Sequence, residues 1–269
     1  MSNRRAFLLS SWSLLVTPAV AGAIGSDQQN GQEGAAAPIG AAFPSQEPEL
    51  VKEMVTVAHG QVARVKELVG RNPTLAKASI DWGFGDWESA LGAASHVGNR
   101  EIAEFLIANG ARPTIFSAAM LGQLDVVKAF VGASAGVQKI KGPHSITLLR
   151  HAAAGGAPAK PVLEYLTQLG GADERLPEKP TTAEERTALA GIYPFGPGPT
   201  DRMEVVHSRD ALQITRPGGH STRNLIHLGS FEFYPIGAEH VRIRFNQSAG
   251  GVTMTVHDPG IVLTARKNG

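Results

Sequence analysis

The sequence predicts a multidomain α+β protein in which an α-helical solenoid is followed by a small antiparallel β-barrel or curled sheet. Two patterns lead to this prediction. Between residues 48 and 173, a small-residue turn followed by an amphipathic helix recurs four times. After residue 190, the hydrophobic pattern changes from a helical period to strict alternation. The chain has 269 residues, which is enough for two modest domains.

The composition excludes several classes of protein. The chain has no cysteine, which excludes disulfides, thiolate metal sites and a cysteine nucleophile. Lys and Arg number 25 against 24 acidic residues, so a nucleic-acid partner is not expected. Beyond the first 23 residues, no apolar run approaches the roughly 20 residues that a membrane-spanning helix needs.

Residues 1–23 have the pattern of an export signal. Arg4 and Arg5 precede a short apolar stretch, and the small residues around Ala21 suit a signal peptidase. The paired arginines resemble the bacterial twin-arginine signal, which implies a periplasmic or secreted protein. An ordinary secretory signal is the alternative, and the signal could be cleaved or kept as an anchor. Residues 24–47, rich in Gly, Ala, Gln and Pro, predict a disordered tether.

The four units in residues 48–173 each combine a turn glycine with an amphipathic helix. Glycine at the turn can end the first helix in a left-handed conformation. The turn glycines are Gly60, Gly98, Gly122 and Gly156. These units resemble ankyrin repeats, and the resemblance implies a rigid array that binds a protein on its concave face.

The long gap between the first two turn glycines predicts an enlarged loop at residues 79–88. Its aromatic residues would be buried in a protein partner, and its acidic residues would form a polar rim. Alternatively, the loop could fold back and cover the end of the array. The predicted partner-binding residues are Trp82, Phe84, Asp86, Trp87, Glu88, His96 and Phe116.

Three histidines, His59, His96 and His151, lie near the ends of the first helices of their units. In ankyrin-like arrays, histidines at such positions hydrogen-bond to neighbouring repeats. Three histidines could also converge on a metal ion, but nothing in their spacing requires it. The sequence therefore predicts no metal ligand and no cofactor.

Residues 174–189 predict a hinge and a short helix, because Thr182 and Glu185 have the spacing of a capping box. In residues 190–269, alternating segments separated by Gly-rich and Pro-rich turns predict about eight strands. Segments 189–193, 231–234 and 263–266 resemble the lipocalin-like β domain appended to some bacterial serine hydrolases of the penicillin-binding type. The chain has no Ser-x-x-Lys motif of such a hydrolase, so the resemblance implies no catalytic residue.

The sequence thus predicts an exported, non-enzymatic interaction protein that binds an envelope partner through the concave face and the 79–88 loop. The alternative is that the β-barrel binds a small ligand and the repeats serve as a scaffold. The chain contains no P-loop, His-Glu-x-x-His or dinucleotide motif, which argues against an enzyme. An uncharacterised activity of the histidine-containing β domain is a third alternative.

Overall fold

The structure, a computed structural model, describes residues 40–268. The predicted export signal and residues 24–39 of the predicted tether lie outside this range. From Gly40 onward, the chain forms one compact unit. Within the described range, no helix is long and apolar enough to cross a membrane.

The first part of this unit consists of short helices, interrupted by one small hairpin of two antiparallel strands, β1 (Ser79–Asp81) and β2 (Trp87–Ser89). A final helix, α9 (Ala183–Leu189), leads into the barrel. The helices that precede it are α1 (Pro48–Val57), α2 (Val62–Arg71), α3 (Ala90–His96), α4 (Arg100–Ala108), α5 (Ile115–Met120), α6 (Leu124–Ala133), α7 (Leu148–Ala154) and α8 (Lys160–Leu169).

The predicted solenoid is wrong. In a solenoid, each repeat contacts only its neighbours, whereas α3 packs against α1, α5 and also α7. The helices are short, and the segments between them are unequal: a 3₁₀ turn and the hairpin separate α2 from α3, and two 3₁₀ turns separate α6 from α7.

Glycine occurs at these turns for a reason that does not require a repeat. Gly98, Gly122 and Gly156 have positive φ angles. A Cβ on Gly98 would collide with the carbonyl oxygen of Ala154, and a Cβ on Gly122 would collide with that of Pro158. The recurring small residues therefore reflect close approach between helices and tight turns, which packed helices need whether or not they repeat.

The second part of the unit is an eight-stranded antiparallel sheet in which every strand pairs with the next along the chain. This simple meander follows from the short turns that separate the alternating segments. The strands are β3 (Gly191–Pro194), β4 (Arg202–Ser208), β5 (Ala211–Thr215), β6 (Arg223–Gly229), β7 (Glu232–Pro235), β8 (Arg242–Ser248), β9 (Gly251–Asp258) and β10 (Ile261–Arg266).

The sheet curls into a large and nearly closed barrel, whereas the sequence predicted a small barrel or a curled sheet. Its first and last strands approach each other, and the Asn268 amide donates a hydrogen bond to the Ile192 carbonyl at 2.9 Å. Tyr193, Phe233 and Phe245 fill the core with edge-to-face ring contacts. The interior of this barrel is thus occupied by its own side chains.

Helix α9 begins as the sequence predicted. The Thr182 side chain accepts a hydrogen bond from the Glu185 amide, and the Glu185 carboxylate accepts one from the Thr182 amide. The predicted capping box is therefore confirmed. Leu189, the last residue of α9, is fully buried in the barrel core.

Polar contacts join the helices to the barrel along a boundary that we call the seam. The Ser221 hydroxyl donates to the Trp82 carbonyl at 2.8 Å, and the Gly237 amide donates to the Ser145 hydroxyl at 2.7 Å. Arg223 of β6 forms a buried ion pair with Asp86. These contacts fix the hairpin against the barrel and position the site described next.

Candidate metal centre

The hairpin that carries most of the predicted partner-binding residues bridges the two parts of the molecule. Trp82 packs on the core of the helices, and Phe84 packs on the core of the barrel. Trp87 points outward, with 65 % of its surface exposed. Two of the three aromatic side chains of the hairpin therefore pack against the protein, and the third is exposed to solvent.

The predicted polar rim is not found, because Asp86 and Glu88 are buried. In β2, side chains alternate between the two faces, so an outward Trp87 places Glu88 inward. The remaining predicted residues, His96 and Phe116, lie at the end of α3 and on α5. Phe116 packs against the ring of His151, with 4.8 Å between ring centroids.

Four side chains from four separate segments converge at the seam. His59, Glu88, His96 and His144 each offer one ligand atom, and these atoms all lie within 4.8 Å of one another. We call these four residues the His3Glu cluster. His59 follows α1, Glu88 is in β2, His96 ends α3, and His144 lies in the 3₁₀ turn Pro143–Ser145.

The spacing of these atoms matches that around a metal ion. The Nε2 atom of His96 lies 3.1 Å from that of His59 and 3.0 Å from Glu88 Oε1. Glu88 Oε2 lies 3.3 Å from His144 Nε2 and 3.7 Å from His59 Nε2. Four ligands about 2.1 Å from a tetrahedral ion are themselves about 3.4 Å apart.

Glu88 is the buried carboxylate of the cluster. Its Oε2 accepts a hydrogen bond from the indole Nε1 of Trp82 at 2.7 Å. Its Oε1 has no hydrogen-bond partner among residues 40–268 and faces His96. Burial raises the pKa of Glu88, but the nearby imidazoles of His144 and His96 outweigh this effect and lower it to about 2. The carboxylate is therefore ionised and has one oxygen free to act as a ligand.

His144 is oriented by Asp86. The Asp86 carboxylate accepts hydrogen bonds from the His144 backbone amide at 2.9 Å and from its ring Nδ1 at 2.8 Å. Asp86 is held in turn by Arg223 of the barrel. Burial lowers the pKa of His144, but its hydrogen bonds to Asp86 and Glu88 outweigh this effect and raise it to about 9.

His59 is oriented by backbone carbonyls. Its Nδ1 lies 3.1 Å from the carbonyl oxygens of Val55 and Thr56 in the last turn of α1. Because a carbonyl only accepts hydrogen bonds, this contact places the ring proton on Nδ1 and leaves the Nε2 lone pair facing the cluster.

Two cavities at the seam are lined by histidines of the cluster. One of about 300 Å³ is lined by His59 and His144 together with Ser221 and Arg223. The other, of about 500 Å³, is lined by His96 and His144 and extends between α7 and the barrel. The side chains of His59 and His144 are partly exposed. An ion held by the cluster would thus be reachable by small molecules.

Sequence reasoning grouped His59 and His96 with His151 and did not single out His144. His151 lies next to the cluster, 6.5 Å from His96 between ring centroids, but is not part of it. His144 has only a Gly-Pro turn before it, which gives no sign of a ligand. The alternation in the hairpin was the available signal for Glu88, since it makes residue 88 the inward neighbour of an outward tryptophan.

No protein-family model matches this chain, and no curated protein sequence is significantly similar to it. The function is therefore argued from the geometry of the cluster and its surroundings.

Proposed function

We infer that this protein binds one divalent transition-metal ion in the His3Glu cluster. The observation that carries this proposal is the convergence of three imidazole nitrogens and one buried carboxylate oxygen at metal-ligand spacing. Imidazole nitrogen and carboxylate oxygen suit Zn²⁺ and related first-row ions. The proposal departs from the sequence analysis, which predicted no metal ligand.

The surroundings of the ligands support a metal site. Metal-binding histidines usually donate their second ring N–H to a carboxylate or a backbone carbonyl, which fixes the ring orientation. His144 has such a partner in Asp86, and His59 has one in the Val55 carbonyl. The second oxygen of Glu88 is held by Trp82. Three of the four ligands are thus oriented by a further partner.

A network held together by protons alone satisfies the cluster less well. The Nε2 atoms of His59 and His96 face each other at 3.1 Å, and a single hydrogen can bridge only that one pair. If His96 donates this hydrogen to His59, Glu88 Oε1 receives none, although it is fully buried 3.0 Å from His96 Nε2. If His96 donates it to Glu88, the Nε2 atom of His59 receives none. Such an unpaired buried acceptor is costly. A cation in the centre would contact both imidazoles and the free oxygen at once.

The test is metal binding by the folded protein after treatment with a chelator. Zn²⁺ is titrated in competition with a chromophoric chelator, and bound metal is counted by elemental analysis after gel filtration. We expect one ion per chain. His96→Gln and His144→Gln should each weaken binding by at least about 100-fold, because each removes a ligand.

His240→Gln is the matched control, since His240 is about half exposed and lies outside the cluster. It should bind zinc like the unaltered protein. The proposal is wrong if the protein takes up no metal, or if the two cluster variants, shown to be folded by circular dichroism, bind zinc as tightly as the control.

A second candidate function is the predicted export and docking to an envelope protein. The observation that favours it is the exposure of Trp87 beside an apolar cavity of about 510 Å³, which is also lined by Trp82, Ile80 and Met203. An exposed tryptophan at the edge of an apolar cavity is typical of interface hot spots.

The docking proposal is tested by cross-linking the protein in cells and identifying the captured envelope protein. Trp87→Ala should abolish its capture while leaving zinc binding intact. Capture that is unaffected by Trp87→Ala would contradict a role of the hairpin. Fractionation of the same cells tests export, since a protein that stays in the cytoplasm contradicts it.

A further inference from the structure

The larger of the two cavities at the cluster has the lining of an anion site. Its volume of about 500 Å³ falls in the range of small-molecule pockets. Its wall includes His96 and His144 of the cluster, and elsewhere Arg150 and Arg175. An occupant could therefore contact the proposed metal ion and the arginines from within a single cavity.

The arginines are only partly compensated. Arg175 lies 3.2 Å and Arg150 lies 3.9 Å from the same carboxylate oxygen of Asp173. One carboxylate thus serves two guanidinium groups. Lys141, also in the wall, is paired with Glu239 at 3.1 Å. Guanidinium groups with spare N–H donors bind carboxylates and phosphates in a bidentate manner.

The metal ion would determine the sign of the charge in the cavity. The wall carries the positive charges of Lys141, Arg150 and Arg175 and the negative charge of Glu178. With the paired carboxylates of Asp173 and Glu239 included, the positive and negative charges cancel. In the cluster, Asp86 and Glu88 contribute two negative charges and Arg223 one positive charge. Because histidines bind a metal ion in their neutral form, adding a divalent ion to these groups leaves a net charge of +1, which favours an anionic ligand.

We propose that this cavity binds a small dicarboxylate-type anion, with one acidic group on the metal ion and the other on Arg150 and Arg175. This inference rests on the proposed metal site. A four-coordinate zinc ion can expand to five ligands. The partial exposure of His144 leaves a side of the cluster open to such a ligand.

The experiment uses the full protein loaded with Co²⁺, whose visible absorption reports the number of ligands on the metal. The probes are succinate and glutarate, with acetate and the neutral succinamide for comparison. We expect succinate or glutarate to change the spectrum at lower concentration than acetate, and succinamide to have no effect. Arg150→Gln combined with Arg175→Gln should weaken dicarboxylate binding by about tenfold, because it removes charge-assisted hydrogen bonds.

Arg71→Gln is the control for these variants. Arg71 is also an exposed arginine and lies 2.6 Å from the carboxylate of Glu67, but it is on α2 and outside the cavity. It should leave the titration unchanged. If the protein retains cobalt and no dicarboxylate alters its spectrum, or if the arginine variants bind dicarboxylates as tightly as the control, the inference is wrong and the metal site stands. If the protein binds no cobalt or zinc, both proposals fail.

Discussion

The guanidinium group of Arg223 on β6 forms a buried ion pair with Asp86, which lies 137 residues earlier in the chain. Both side chains are at least 95 % buried. Burial raises the pKa of Asp86, but hydrogen bonds from His144 and Arg223 outweigh this effect and lower it below its usual value. This pair connects the barrel to the residue that orients a cluster histidine.

Replacing Arg223 should destabilise the protein strongly. Arg223→Met removes the cation and leaves the Asp86 carboxylate buried, with His144 as its other hydrogen-bond donor. We expect the free energy of unfolding to fall by about 3 kcal/mol or more, as measured by urea denaturation. Arg244→Met is the control, because Arg244 is paired with Glu232 at the surface and should change stability by less than about 1 kcal/mol. Equal effects of the two substitutions would contradict the importance of the seam pair.

Removing the metal ion from the cluster should lower the stability of the folded protein. A ligand that binds only the folded state stabilises it by about 2.7 kcal/mol at a free concentration 100 times its dissociation constant. The midpoint of thermal unfolding should therefore rise with added zinc and fall after chelation. The midpoint of His96→Gln should respond little to either treatment. A response of this variant equal to that of the unaltered protein would place the stabilising metal elsewhere.

Acid should destabilise the protein through His151. Burial lowers the pKa of His151 to about 4, from a usual value of 6.5. The unfolded chain therefore binds this proton at a higher pH than the folded one, and stability is lost as the pH falls from 6.5 towards 4. Between pH 7 and pH 5, we expect a loss of about 2 kcal/mol that is absent in His151→Gln.

The His151 prediction is checked by urea denaturation at both pH values. His240→Gln serves as the control for the removal of a histidine, because His240 is about half exposed and lies outside the cluster. An identical pH dependence in His151→Gln and His240→Gln would show that burial of His151 does not cause the loss.

Gly98 should not tolerate a side chain. Its φ of +78° is unfavourable for other residues, and a Cβ would collide with the backbone oxygen of Ala154 in α7. We expect Gly98→Ala to reduce the unfolding free energy by at least about 2 kcal/mol. Gly60→Ala is the matched control, since a Cβ on Gly60 would meet no atom within 4 Å, and its effect should stay below about 1 kcal/mol. Similar denaturation curves for the two variants would contradict the close approach of α3 to α7.

Local patterns in the sequence predicted local structure well. The capping box at Thr182 and Glu185 is a contact between neighbouring residues, so its spacing is sufficient to predict it. The alternation of Met203 and Val205 predicted a strand, and both residues face the barrel core. The solenoid was wrong because the turn glycines report only how closely helices approach, and not which helices pack together.

The cluster could not be predicted, because its four ligands come from unrelated positions along the chain. No regular spacing joins His59, Glu88 and His96, and only the packing of α1, the hairpin and α3 brings them together. Glu88 was expected on the surface because a carboxylate is rarely buried without partners. The burial of Glu88 depends on Trp82 and the three imidazoles, which are themselves placed by tertiary contacts.

The position of Arg223 late in the chain implies an order of events during translation. All four cluster residues have been synthesised by the time His144 emerges, whereas Arg223 follows several seconds later at a rate of about 5–20 residues per second. During this interval, the nascent chain carries the carboxylates of Asp86 and Glu88 without the guanidinium that will later neutralise one of them. The carboxylate that orients His144 therefore gains its partner in the barrel only after β6 has been made, so the surroundings of the cluster are completed last.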